Sequence, residues 1–197
     1  MVSSRYSLVA IILHWTIALA ILSQIALGLY MTRLGNAEIN FKFALYQFHK
    51  SVGITILALT VARLIWRGLH RPPAPPAGQP VWAQRIAHLT HGLFYVLMIG
   101  LPLTGWVVVS TSPLDIPTVL FGVVPLPDLP GLNGLSNAAN LSTQFEKIHA
   151  IAAYLLLATV ILHIAAALKH QIIDRDEVLW RMLPLPIVRR AIRKESQ

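Results

Sequence analysis

His14, His49, His149 and His163 each fall inside a long apolar stretch of this chain. An ionisable ring in hydrocarbon is costly and marks a functional position, and neutral imidazole is above all a metal ligand. The stretch IHAIAAYLLLATVILHIAAAL, residues 148 to 168, carries two of the four, fourteen positions apart and with no charged residue between them. Fourteen residues of α-helix rise about 21 Å and come to within about 40° of whole turns, so both rings look out of one face at two depths. A single histidine in a membrane helix commonly does no more than hydrogen-bond a neighbouring helix. Four at matching depths ask for more. Two layers of two histidines, each pair drawn from different helices, are what two stacked haems with bis-histidine axial ligation require.

Positioning those rings takes elements long enough to cross a bilayer. About 20 consecutive apolar residues do so, and four runs qualify: Leu8 to Tyr30, Ala44 to Trp66, Ile86 to Ser110 and Ile148 to Leu168. The expectation is an all-α, integral membrane four-helix bundle forming one domain over residues 1–197, with helices at about 8–30, 44–66, 86–110 and 148–168. The first run is too long for a signal peptide and no small-residue cleavage site follows it, so it is expected to be retained. HRPPAPPAGQP after the second run is a proline-rich connector unable to form a helix. The segment of about 111–146, rich in proline, glycine and leucine, is expected to cap one end of the bundle.

Composition agrees. Of 197 residues 55% are hydrophobic and 12% charged, and the mean hydropathy of +0.62 belongs to membrane proteins rather than soluble domains. There is no cysteine, which excludes disulfides, cysteine-held clusters and covalent haem attachment. The net charge of +8 sits beside apolar runs, where anionic lipid explains it better than nucleic acid. Arg5, Arg63, Arg67, Arg71, Arg85, Lys169, Arg175, Arg181, Arg189, Arg190, Arg193 and Lys194 fall on one side. The positive-inside rule makes that side cytoplasmic, with both termini there. The opposite side balances Arg33, Lys42, Lys50 and Lys147 against Glu38, Asp115, Asp128 and Glu146. Depth then pairs His14 with His163 on the inner side and His49 with His149 on the outer.

The same interval of fourteen runs from His14 to Gly28, from His49 to Arg63 and from His91 to Gly105. Glycine lets a flat macrocycle approach the backbone, and an arginine at that depth either pairs with a haem propionate or snorkels to the headgroups. His88 and His91, three apart, offer a spacing that could hold zinc, although no carboxylate accompanies them. His70, beside the proline connector, is expected to be solvated.

The IILHW of the first run, FHKSVG and RLIWR bounding the second, AHLTHGLFYVLMIGLPLTGW of the third, FEKIHAIAAYLLLATVILH of the fourth and the VLWRMLP that follows resemble the bacterial cytochrome b561 family over nearly the whole chain. The resemblance implies two b haems held by His14, His49, His149 and His163, the four that depth selects. It also implies a bacterial inner-membrane location and either of two roles. One is a superoxide oxidase, passing electrons from superoxide through both haems to ubiquinone. The other is an electron-transfer subunit linking the quinone pool to a periplasmic or membrane partner enzyme. For the first role, Lys42, Lys50 and Lys147 are the candidates for a local positive entrance steering superoxide. For ubiquinone, His91 and His170, with His88, gather at the inner layer, where a histidine can bond a quinone carbonyl and relay a proton. Gly100, Pro102 and Gly105 would let the third helix bend around a quinone tail.

Overall fold

A computed structural model describes residues 5–74, 78–132 and 134–184 of the chain. Arg189, Arg190, Arg193 and Lys194, counted above toward the orientation, lie outside the described residues. The first long helix starts where Ser7, in extended conformation, turns its side chain back to accept from the Ala10 amide, the usual N-cap device for an otherwise orphaned donor. This helix, α1, spans Leu8–Met31; α2 spans Ile39–Leu69, α3 Val81–Ser110 and α4 Ala138–Lys169. Pro80 stands immediately before α3, and α2 stops at the extended backbone of His70, with Arg71 and then Pro72 and Pro73 after it. A π-helical turn at His170–Asp174 closes α4, ending on Arg175 in the left-handed region at φ 53°.

All four helices are long and apolar enough to cross a membrane, and their surfaces are those of a protein dissolved in lipid. Leu89 is 74% exposed and Leu162 69%, whereas Ile17 is 1% exposed. Around such a bundle hydrocarbon rather than water meets the apolar side chains. α1 packs on α2, α2 on α3 and α3 on α4. The described ends of the chain meet on one side of the bundle. There the Tyr6 amide donates to the Arg181 carbonyl at 3.4 Å, Trp15 Nε1 to the Met182 carbonyl at 2.9 Å and Trp66 Nε1 to Ser7 Oγ at 2.9 Å. On the opposite side Trp106 Nε1 donates to the Pro127 carbonyl at 3.0 Å. Tryptophans at both ends, each with its N–H engaged, match the amphipathic belt of a membrane-spanning protein.

Three helices begin earlier than their apolar runs: α2 at residue 39 rather than 44, α3 at 81 rather than 86, and α4 at 138 rather than 148. The apolar run measures the hydrocarbon crossing, whereas backbone hydrogen bonding carries each helix on through its polar approach. The cap is correspondingly shorter, 111–137, and holds an antiparallel hairpin unforeseen from the sequence, β1 Thr118–Leu120 with β2 Val124–Leu126. Its three-residue connection, 121–123, turns tightly where the Val123 amide donates to the Leu120 carbonyl at 3.0 Å, with Phe121 and Gly122 in the left-handed region at φ 51° and 73°. α2 holds the hairpin down. Gln47 Nε2 donates to the Pro117 carbonyl at 2.8 Å, and Ser51 Oγ accepts from the Phe121 amide at 2.9 Å.

Candidate functional site

Each of three helices places a histidine, a buried apolar side chain seven positions on, and a further chemically distinctive residue at fourteen. His14, Ile21 and Gly28 follow this rule on α1, His49, Ile56 and Arg63 on α2, and His149, Leu156 and His163 on α4. The midpoints Ile21, Ile56 and Leu156 are 5–6% exposed and pack with Ile17, Leu97 and Met98 into one cluster. Met98 itself stands seven positions after His91 on α3. Seven residues make about two turns, so each helix that offers polar groups at two levels contributes apolar filling between them. The bundle is thus two polar layers separated by an apolar floor.

The layer nearer the cap pairs His49 with His149, and the layer nearer the termini pairs His14 with His163. In both pairs the ring centres lie 6.3 Å apart with ring planes inclined at 67°. A metal–imidazole bond of about 2 Å on each side, plus roughly 1 Å from each bonded nitrogen to its ring centre, requires a separation of about 6 Å. Both pairs therefore stand at the distance for one iron ligated from two sides. Space is available for the rest of the group. Around His49 and His149 opens a cavity of about 520 Å³ lined largely by apolar side chains of all four helices, within the roughly 300–1,000 Å³ of cofactor sites. Glycines frame it: a Cβ on Gly28 would stand 3.5 Å from His49 Cε1, and one on Gly105 3.4 Å from His149 Cε1. The residues present fit a haem.

The ring contacts differ between the four. His149 Nδ1 donates toward the Leu101 carbonyl at 3.1 Å and Thr104 Oγ1 at 3.0 Å, while the Thr104 hydroxyl donates to the same carbonyl at 2.8 Å. With its proton held on Nδ1 by these acceptors, His149 keeps the Nε2 lone pair free, as a metal-bound histidine does when its other ring nitrogen donates to a carbonyl. His14 Nδ1 meets Arg63 Nη1 at 3.1 Å; a guanidinium only donates, so Nδ1 accepts here. His49 Nδ1 is buried without a hydrogen-bond partner among the described residues. His163 is edge-on to Phe94 at 5.3 Å and to His91 at 5.7 Å.

Of the further residues singled out by sequence, the structure brings His91 into the terminal-end layer, its Nδ1 committed to the Ala87 carbonyl at 2.6 Å and its Nε2 left as an acceptor. His88 bonds the Gln84 carbonyl at 2.7 Å in the same way, so neither ring clamps a metal with the other through Nδ1. His70 is exposed, with its ring stacked 3.8 Å from Trp66. His170 stands apart from the layers and is held by carboxylates, at 2.7 Å from Asp176 and 3.2 Å from Asp174; Asp174 is in turn bridged by Lys169 at 2.6 Å. The three lysines do not share one environment. Lys50 lines the cap-end cavity, where Asp128 of the cap acts on it electrostatically. Lys42 donates to the Leu34 carbonyl at 3.0 Å, and Lys147 is exposed beside Glu146. Sequence reasoning missed Thr104, Gln24, Gln47 and Ser51, since a hydroxyl or amide on an apolar helix carries no periodic signal of its own.

Four membrane-crossing helices with paired inward histidines at two levels define a multi-pass membrane protein with the donor set of a b-type cytochrome. Comparison with known proteins gives the family. Residues 5–185 match the model of the prokaryotic cytochrome b561 family, and the chain belongs to it: a bacterial membrane electron-transfer protein of a haem b family. Similar relatives include cytochrome b561 homolog 2 of Escherichia coli (strain K12), 28% identical over 91% of each chain. The probable superoxide oxidase CybB of Yersinia pestis is 29% identical over 91% of this chain and 96% of its own. Cytochrome b561 homolog 1 of Escherichia coli (strain K12) is 24% identical over 92% of this chain and 98% of its own.

Proposed function

We propose that this protein carries two b haems, one between His49 and His149 and one between His14 and His163, and passes electrons from superoxide at the cap end to ubiquinone at the terminal end. The termini are then cytoplasmic, in the bacterial inner membrane, and the cap periplasmic. The observation that carries this reading is the recurrence of one ring geometry, 6.3 Å and 67°, in both layers. Haem, held by these histidine pairs, would supply reversible one-electron chemistry.

The chain's own residues then do the following. Leu101 and Thr104 fix the tautomer of His149 so that Nε2 is free to ligate. At the other layer His14 would ligate through Nε2 with its proton on Nδ1, and Arg63, which now donates to that Nδ1, would then be available to an anionic group of the cofactor. The buried isoleucines and leucine keep water from the space between the layers. Lys50, which lines the cap-end cavity together with Glu146, supplies the steering charge, with Lys42 and Lys147 contributing from outside the cavity lining. His91, exposed with an unused Nε2, is the group best placed to bond a quinone carbonyl; His170, backed by Asp176, would relay protons to it. Reduction of one quinone consumes two superoxide electrons and two protons, and releases two molecules of dioxygen.

A relative named as a probable superoxide oxidase supports the same reaction. One observation favours the electron-transfer subunit instead: the cap exposes Leu114, Phe121 and Val123 at 73%, 58% and 78%, apolar surface suited to a protein partner. Purified protein mixed with a ubiquinone analogue and enzymatically generated superoxide distinguishes the two. Quinol formation and haem reduction by superoxide are expected. Haems that superoxide leaves oxidised, yet quinol reduces, would leave the subunit role standing.

A further inference from the structure

Among the described residues, two buried side-chain atoms without a hydrogen-bond partner lie on the helices at the cap-end layer, His49 Nδ1 and Gln24 Oε1; a third, Thr118 Oγ1 of the hairpin, borders the same cavity. Buried polar atoms in native proteins are paired, and an exception calls for a group or a rearrangement that satisfies it. The two belong to residues already in contact, for Gln24 Nε2 donates to the His49 backbone carbonyl at 3.1 Å. That bond settles which end of the amide is the donor, leaving Oε1 as a free acceptor beside a residue whose ring needs one. Both residues line the same cavity.

The helix geometry supports the pairing. Gly28, one turn beyond Gln24 on α1, lies against His49 Cε1, so α1 runs along the edge of the ring that carries its nitrogens. Thr32, the other polar residue that α1 contributes to the cavity, has its hydroxyl committed to the Gly28 and Leu29 carbonyls. On the far side of the layer His149 Nδ1 already has Leu101 and Thr104. Within this layer His49 lacks the equivalent among the described residues.

We propose that Gln24 is the positioning residue of the cap-end layer, clasping His49 at two points: Nε2 donates to the backbone carbonyl while Oε1 accepts from Nδ1–H when Nε2 ligates iron. This rests on the assignment of His49 as a haem ligand. An acceptor on Nδ1–H raises the basicity of the ring and favours the ferric state, which lowers the midpoint potential of that haem alone. Gln24→Met keeps the length and removes the acceptor; Gln24→Glu keeps an acceptor oxygen at the same reach.

The test is redox potentiometry of the purified di-haem protein, followed optically and by electron paramagnetic resonance, with the terminal-end haem as internal reference. Gln24→Met should shift the cap-end potential upward and change that haem's ferric signal, while the other haem stays in place. Gln24→Glu should return the potential to, or below, the wild-type value. With both haems present, an unmoved cap-end potential in Gln24→Met overturns the inference, as does an equal upward shift in Gln24→Glu. Purified protein with no haem, or with one, would instead overturn the ligand assignment on which it rests.

Discussion

Ser51 shows how much of the cap depends on one hydroxyl. It is fully buried; its Oγ donates to the Gln47 carbonyl at 2.8 Å and accepts from the Phe121 amide at 2.9 Å. Phe121 sits at the turn of the hairpin, where the ladder offers its N–H no partner. Ser51→Ala leaves that amide unpaired. The bond is only partly buried, so its loss costs about 1 kcal/mol, equivalent to about 5-fold in an equilibrium. The Gln47 carbonyl loses only a second donor, so α2 should hold. Hydrogen–deuterium exchange on protein in detergent or nanodiscs should therefore show the Phe121 amide opening faster by that factor, while amides of α2 around residue 56 keep their protection. Thr118 and Leu126 of the same hairpin line the cap-end cavity, so the opening should also admit water there. A Phe121 amide that exchanges as slowly in the variant as in the wild type would refute the idea that Ser51 anchors the hairpin.

Gly105→Ala should be accepted, because its Cβ would stand 3.4 Å from the His149 ring; Gly105→Val adds methyls about 1.5 Å further out and should displace the ring, seen as loss of about half the Soret absorbance. Replacing His49 with leucine should remove the cap-end haem and replacing His14 the terminal-end haem, so pyridine haemochrome analysis should fall from about two haems per chain to about one in each; loss of both from either variant would argue against independent layers. Lys50→Gln should slow reduction by superoxide more than Lys42→Gln, and most at low ionic strength, since a Debye length of about 8 Å at physiological salt already screens distant charge. His91→Leu should leave superoxide able to reduce the haems while quinol formation slows.

What the sequence determined by itself follows from two periods. An apolar run of about 20 residues has one stable state in a bilayer, a hydrogen-bonded helix, so four runs gave four helices before any tertiary contact was known. Fourteen residues close on four helical turns, which placed His149 and His163 on one face of α4 and set Gly28 and Gly105 at the level of the cap-end rings. Those relations are local to a helix and survive any arrangement of its neighbours. Relations between helices did not follow in the same way. That Gln24 of α1 reaches His49 of α2, that Thr104 of α3 holds His149 of α4, and that Arg63 meets His14 depend on rotation and offset between helices, set by packing of side chains at Ile21, Ile56, Met98 and Leu156. The early starts of α2, α3 and α4 were hidden because polar residues at a membrane surface fit helix and loop equally. His170 met its carboxylates only because the π-helical turn brought Asp174 and Asp176 back against it. The three outer lysines could be grouped by depth in the sequence, but only the folded backbone shows Lys42 spent on the Leu34 carbonyl and Lys50 alone at the cavity.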